Sequence, residues 1–207
     1  MSTHGRQAEA ARNDRLLLAA AREVFAAQGA GASVAAIAGR AGVGIGSLYR
    51  RYASKQELQQ HLCVLAMEQA IEAAERGLAA DDAWSGLAGY IRDCVASGTG
   101  ALAPLAGQIP VSERMWQTAR RGRQLAGRLV ARAHQAGVLR ADVTALDISL
   151  LMELFSRRSP IRAAGLDQAH RQRLLAIALD GLRAPARQPL PGQPPSQQEY
   201  EAPWHAG

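Results

Sequence analysis

The sequence predicts an all-α protein: a small N-terminal helix-turn-helix unit, a connector helix and a larger helical domain. Three observations carry that reading. Apolar residues recur at spacings of three and four, while the period of two that marks a strand appears nowhere. Glycines and capping hydroxyls divide the first 55 residues into short segments. Six of the nine prolines lie from Pro185 onward, outside the periodic region.

The first helix spans about Arg12 to Gln28, where Leu17, Ala21, Val24 and Phe25 share one face, and Gly29 and Gly31 end it. Ser33 can then cap a short helix carrying Val34, Ile37 and Ala38, because its hydroxyl can accept a free N–H of the first turn. That helix stops at Ala41-Gly42. After the turn Ala41-Gly42-Val43-Gly44, a third helix is expected over roughly Ile45 to Tyr52. Val43, Leu48 and Tyr52 would point inward, leaving Ile45, Gly46, Ser47, Tyr49, Arg50 and Arg51 outward. Ser54-Lys55-Gln56-Glu57 is a Ser-x-x-Glu capping box before Leu58, Leu62 and Leu65, so a connector helix starts at Lys55 and runs toward Leu78.

Further helices are expected at about Asp82–Ala96, Ser112–Gln135, Val143–Arg157 and Leu166–Leu182, with Gly98–Pro110 irregular or a short broken helix. The expected boundaries are an N-terminal helix-turn-helix unit over 10–70 with its motif at 33–52, a helical domain over 71–184, and a disordered proline-rich tail over 185–207.

Residues 1–55 hold eight basic side chains against Glu9, Asp14 and Glu23, a net +5 within a chain total of +6. Such a concentration suits a phosphate backbone, since each neutralised phosphate releases counterions. A short helix, a glycine turn and a second short helix with small and basic outward residues form the helix-turn-helix arrangement. The second helix is sized for the major groove, where side chains can distinguish all four base pairs.

Ser33-Val34-x-x-Ile37-Ala38-x-x-Ala41-Gly42-Val43, then Gly46-Ser47-Leu48-Tyr49, then Tyr52-x-Ser54-Lys55-x-x-Leu58, resembles the signature of the TetR (tetracycline-repressor-like) regulators, and Phe25 with Gly29 fits the lead-in. Ala136-Gly137-Val138-Leu139-Arg140-x-Asp142 and the two helices after it resemble the family's more divergent C-terminal half. The resemblance implies a homodimer on a near-palindromic operator of double-stranded DNA, usually repressing until a small molecule, here unidentified, releases it. The helical domain over 71–184 would then bind that ligand and dimerise. The family commonly has Ser or Thr where this chain has Gly44, so a capping hydroxyl is missing and only the backbone N–H is left to meet a phosphate.

The candidate DNA contacts are Ser33, Gly44, Ile45, Gly46, Ser47, Tyr49, Arg50, Arg51 and Lys55. Ser47, Arg50 and Ile45 could reach base edges, Arg50 by forking to guanine and Ile45 by touching a thymine methyl. Tyr49, Arg51, Ser33 and Lys55, the chain's only lysine, would hold phosphates and set register. A solvated surface pair is the plain alternative for Arg50 and Arg51.

In the helical domain Trp84, Leu87, Ile91, Met115 and Trp116 could line a pocket, or equally pack a core. The arginines at 114, 120, 121, 123, 128 and 132 read as a solvated face before an acidic-ligand clamp. Ile148, Leu151, Met152 and Phe155 on one helix and Leu174, Ile177, Ala178 and Gly181 on the next form two apolar stripes, candidates for a dimer face. Leu175, Leu179 and Leu182 make the second helix wider than one stripe needs, as for a helix facing both its own core and a partner.

The histidines sit singly and Cys63 and Cys94 match no metal or redox spacing, so no metal, cofactor or catalytic residue is expected and an enzyme is disfavoured. With neither a signal segment nor a membrane-length apolar run, a cytoplasmic protein without membrane contact is expected.

Overall fold

Capping chemistry sets most helix starts. The computed structural model describes residues 3–156, 164–185 and 188–205. In order come α1 (Thr3–Gln28), a 3₁₀ turn (Gly29–Gly31), α2 (Val34–Ala41), α3 (Ile45–Tyr49), α4 (Lys55–Ala79), α5 (Ala83–Ser97), a 3₁₀ segment (Thr99–Leu105), α6 (Glu113–Gln135), α7 (Ala145–Ser156), α8 (Ala164–Gly181) and α9 (Gln197–His205). Ser33, Ser54, Asp82 and Ser112 each accept a hydrogen bond from the backbone N–H three residues on, at the starts of α2, α4, α5 and α6. Glu57 completes its box one residue early, accepting from the N–H of Ala53 at 2.7 Å rather than from that of Ser54. The expected helices lie within a few residues of these bounds, except that α1 starts at Thr3, nine residues before the expected Arg12. The end expected at Arg157 falls outside the described residues.

The side chains gather into two cores. Leu17, Ala21, Phe25, Ile37, Leu48, Leu58 and Leu62 form the first, and Leu102, Leu105, Ile109 and Met115 join it. The segment expected to be irregular therefore packs under the N-terminal unit. The second core holds Ala73, Ala74, Leu87, Ile91, Leu129, Ile148, Leu175 and Leu179, among others. Both cores draw on α4. Cys63 and Cys94 are buried free thiols, and burial pushes each up to about 12, which leaves them protonated and unreactive at neutral pH.

Two features fix the angle between α4 and α5. Gly77 and Gly86 face each other so closely that a Cβ on Gly77 would stand 2.6 Å from the carbonyl oxygen of Gly86. Arg132 of α6 closes the corner, donating to the carbonyls of Leu78 (3.0 Å), Ala80 (2.7 Å) and Asp81 (3.2 Å) at the C-terminus of α4. A cation there also complements the helix dipole. Arg114 and Arg121 pair with Glu68 and Glu75 of α4 at 3.0 and 2.6 Å. Both guanidiniums stay about two-thirds exposed, 67% and 64%, so the arginine row is solvated at these positions, as expected, and also ties α6 to α4.

The expectation of a disordered tail needs correction over its described part. Leu190 donates its N–H to Asp142 at 2.8 Å and Arg140 donates to the carbonyl of Gln188 at 2.7 Å. A box of Ser196 and Glu199 starts α9. From that helix Glu201 pairs with Arg123 at 2.8 Å, His205 stacks on Trp116 with ring centroids 4.8 Å apart, and Trp204 packs on the first core. Proline content argued against a packed segment, but two aromatics and a capping box outweigh it. Residues 186, 187, 206 and 207 of the expected tail fall outside the described residues. Among the described residues no helix is long and apolar enough to cross a membrane.

The Gly77–Gly86 contact has a measurable consequence. Gly86→Ala forces two backbones apart and is expected to lower stability by about 1–3 kcal/mol, as overpacking does. Gly89→Ala, on the same helix with nothing within 4 Å of its Cβ position, is expected to be neutral or mildly stabilising. Urea midpoints for the pair check this; equal midpoints would remove the crossing from among the fixed points of the fold.

Candidate nucleic-acid interface

The helix-turn-helix forms because one residue of each short helix is pulled fully inward. Ile37 of α2 and Leu48 of α3 are both 0% exposed, and Tyr52 just after α3 is buried too. Between the helices Gly42 takes φ +67° and donates its N–H to the carbonyls of Ala38 and Gly39, a left-handed C-cap that glycine adopts without steric cost. Gly44 caps α3 with no side-chain bond, as its missing hydroxyl requires. The regular helix ends at Tyr49, and Arg50 and Arg51 close it as a turn, shorter than the expected Ile45–Tyr52.

Burying Leu48 turns the other side outward. Ile45 and Tyr49 stand about half exposed, 45% and 50%, and Gly44, Gly46 and Arg50 are exposed beside them. Ile45 and Tyr49 thus share one outward side of a short helix, an arrangement suited to facing a groove. Arg50 donates to the hydroxyl of half-buried Ser47 at 2.7 Å, so the two are held as a unit. Nothing lies within 4 Å of a Cβ built on Gly46, so no neighbour within the chain demands glycine there. Ser33 is exposed, with its hydroxyl already engaged by the N–H of Ala36 at 3.1 Å.

Two expected phosphate ligands have partners inside the chain. Arg51 pairs with Asp14 of α1, tying the end of the recognition segment to the first helix. Lys55 donates its Nζ to the carbonyls of Ala30 at 2.8 Å and Ala32 at 3.3 Å, which anchors the loop between α1 and α2. Gln59 donates to the same Ala30 carbonyl at 3.2 Å. Sequence reasoning did not find Asp14, because nothing local links it to a residue 37 positions away. Arg40, exposed at the end of α2, pairs with Glu23. Behind the turn, burial raises the Tyr52 phenol above its ordinary range, and burial followed by the nearby Arg114 lowers the His61 imidazole.

With this geometry in place, sequence profiles give the same result. The profile described as "Bacterial regulatory proteins, tetR family" matches residues 17–62, and that of the "Transcriptional regulator SbtR-like, C-terminal domain" matches residues 81–184, half of the chain. The chain belongs to the TetR family. It is a DNA-binding transcriptional regulator and not an enzyme.

Solved TetR-family structures show the same fold. A TetR transcription regulatory protein from Mycobacterium vanbaalenii is 29% identical, with 86% of this chain and 99% of that one covered and a TM-score of 0.57. The ketosteroid transcriptional regulator KstR2 of Mycobacterium tuberculosis is 22% identical, covering 83% and 95%, with a TM-score of 0.61. TetR transcriptional regulator SCO0520 from Streptomyces coelicolor is 23% identical, covering 83% and 99%, with a TM-score of 0.57. No curated protein matches the chain.

Elsewhere the structure redistributes the expected site residues. Leu87 and Ile91 are fully buried in the second core and Met115 in the first, while Trp84 is half-buried under the Arg183 guanidinium, 4.8 Å from its ring centroid, and Trp116 is half-buried under His205. The five are not brought together around one pocket. Helical spacing could not separate a packed face from a lining one.

The dimer stripes divide in a similar way. Ile148 and Met152 are buried in the chain's own core and cannot also face a partner, a correction to their expected role. Leu151, Phe155 and Ala178 are half-buried and Gly181 exposed. On α7 the exposed apolar residues are Leu150 (43%) and Leu154 (63%); on α8 they are Leu174 (53%) and Ile177 (59%), with Leu175 and Leu179 turned into the core. α7 carries two apolar faces, and the sequence alone does not say which one turns inward.

For Lys55 the geometry makes a prediction about the free protein. Lys55→Ala releases two carbonyls of the α1–α2 loop and is expected to cost about 1–3 kcal/mol of stability without DNA present. Thermal and urea melts of the variant measure it. An unchanged melt would assign the lysine wholly to DNA.

Proposed function

We propose that this TetR-family regulator binds a near-palindromic operator as a homodimer and represses until a small molecule releases it. The observation that carries the reading is the outward row of Ile45, Tyr49 and Arg50 on a short helix pinned by Leu48. One such helix spans too few base pairs for a specific site, so two must be held about 34 Å apart, one turn of DNA. Leu150, Leu154, Leu174 and Ile177 supply apolar surface for the dimer that would hold them.

Within the interface Ile45, Ser47 and Arg50 read bases, while Ser33, Tyr49 and the backbone N–H groups at Gly44 and Gly46 meet phosphates. Arg51 and Lys55 act mainly by fixing the recognition segment and the loop behind it, and add positive field at the phosphates.

Selection of bound sequences from random duplexes tests the reading directly. A two-fold symmetric consensus is expected, with affinity falling steeply as salt rises. Arg50→Ala is expected to relax preference at one position of each half-site and to cost about 1–3 kcal/mol. A base-substitution scan reads that out, and undiminished preference would remove Arg50 from base recognition.

Ile177→Arg tests assembly. The residue is exposed in the single chain, so the variant should fold, whereas at a dimer seam it buries an unpaired charge at about 3–5 kcal/mol. Light scattering is expected to show monomers that keep weak, salt-sensitive DNA binding and lose the operator. A monomeric variant with full operator affinity would overturn the dimer mechanism.

A further inference from the structure

Between the DNA-binding unit and the helical domain, α1, α4, the 3₁₀ segment and α8 border a cleft of about 1480 Å³. Ordinary small-molecule pockets run to roughly 1,000 Å³, so the space suits an extended ligand. Its apolar wall includes Leu18, Leu62, Leu65, Val95 and Leu175. Its charge is one-sided, with five arginines (15, 22, 40, 92 and 171) against the carboxylates of Glu23 and Glu153. Arg40 pairs with Glu23, and Arg171 with Asp167 at 3.7 Å.

Arg22 is different. Its guanidinium donates to the Ser97 carbonyl at 2.6 Å and to the Gln69 amide oxygen at 3.1 Å, both neutral acceptors. Burial works against its charge, and no carboxylate among the described residues offsets that. A partly buried cation with only neutral partners favours an anion brought from outside. Arg92, exposed on α5 at the edge of the cleft, has no ion pair among the described residues and adds to the same field.

We propose that this cleft binds an amphipathic organic anion, its carboxylate or phosphate head drawn to Arg22 and Arg92 and its apolar body lying along Leu18, Leu65 and Leu175. The inference rests on the effector reading above and gives that effector a chemical class and a place. It also gives a route to the DNA. Arg22 joins α1 to the end of α5, so an anion that draws it from the Ser97 carbonyl loosens that tie. On the same helix Asp14 holds Arg51 at the end of the recognition segment.

Calorimetric titration of the full chain with octanoate, octyl phosphate, octanol and octylammonium, below their micelle concentrations, tests the site. Octanoate or octyl phosphate, and whichever binds more tightly identifies the preferred head, is expected to bind at least tenfold more tightly than the neutral and cationic probes. Arg22→Gln, which keeps hydrogen-bonding capacity, and Arg92→Glu, at an exposed position that folding tolerates, are each expected to weaken the anion at least tenfold and leave octanol unchanged. Equal binding of all four probes, no anion binding, or anion binding unaltered in both variants would overturn the proposal.

Retardation of the selected operator in parallel separates this inference from the one it rests on. Anion binding that depends on Arg22 and Arg92 but leaves operator affinity intact would sink the effector reading and keep the site. Operator release by other compounds, with no anion binding in the cleft, would do the reverse.

Discussion

Both hydrophobic cores hang on one helix. Leu58, Leu62, Cys63, Val64 and Ala66 of α4 close the N-terminal core, and Ala73 and Ala74 of the same helix enter the second. The direction of α4 therefore sets how the DNA-binding unit stands on the rest. Three contacts hold its ends: Ser54 caps the start, Arg132 takes the carbonyls at the finish, and the glycine crossing with α5 fixes the exit. Arg114 and Arg121 then tie its flank to α6. Such exposed pairs are individually worth little, in the range of 0–1 kcal/mol, so the multiply bonded Arg132 outweighs them in positioning.

The recognition helix shows how little helix is needed when its surroundings are rigid. Five residues with Gly46 among them have almost no intrinsic helical stability, because nucleation is unfavourable and an interior glycine adds to the loss. What holds α3 is tertiary: Leu48 and Tyr52 in the core, Arg51 on α1, and Lys55 on the loop before α2. Cations expected to face phosphate are turned to this task, and the outward side keeps Ile45, Tyr49 and the Arg50–Ser47 pair. Positioning groups and outward-facing groups thus divide between the back and front of one short segment.

Much of this was legible in the sequence wherever the signal is local. Ser33, Ser54, Asp82 and Ser112 mark helix starts because a cap depends on residues three apart, and Gly42 marks the turn because few other residues adopt its φ. What stayed hidden depends on contacts between distant residues: Asp14 with Arg51, Arg132 with the end of α4, and the choice between the two apolar faces of α7. The tail is an intermediate case. Ser196-Gln197-Gln198-Glu199 repeats the box that marked α4, yet proline content hid it, and whether Trp204 and His205 found a surface could be decided only by α6 and its neighbours.

α1 brings these strands together, because its faces do different work. Leu17, Ala21, Val24 and Phe25 lock it into the first core. Asp14 reaches the recognition segment, while Arg15, Leu18 and Arg22 look into the interdomain cleft. The core face of α1 has no empty volume in which its side chains could adjust singly, so a shift of that helix takes it as a rigid body between discrete arrangements. A displacement at Leu18 and Arg22 that moves the helix backbone therefore reaches Asp14 one to two turns away. An occupant of the cleft would act on the position of Arg51 with no contact to α3 itself, and DNA held by α3 would act back on the cleft with the same free energy.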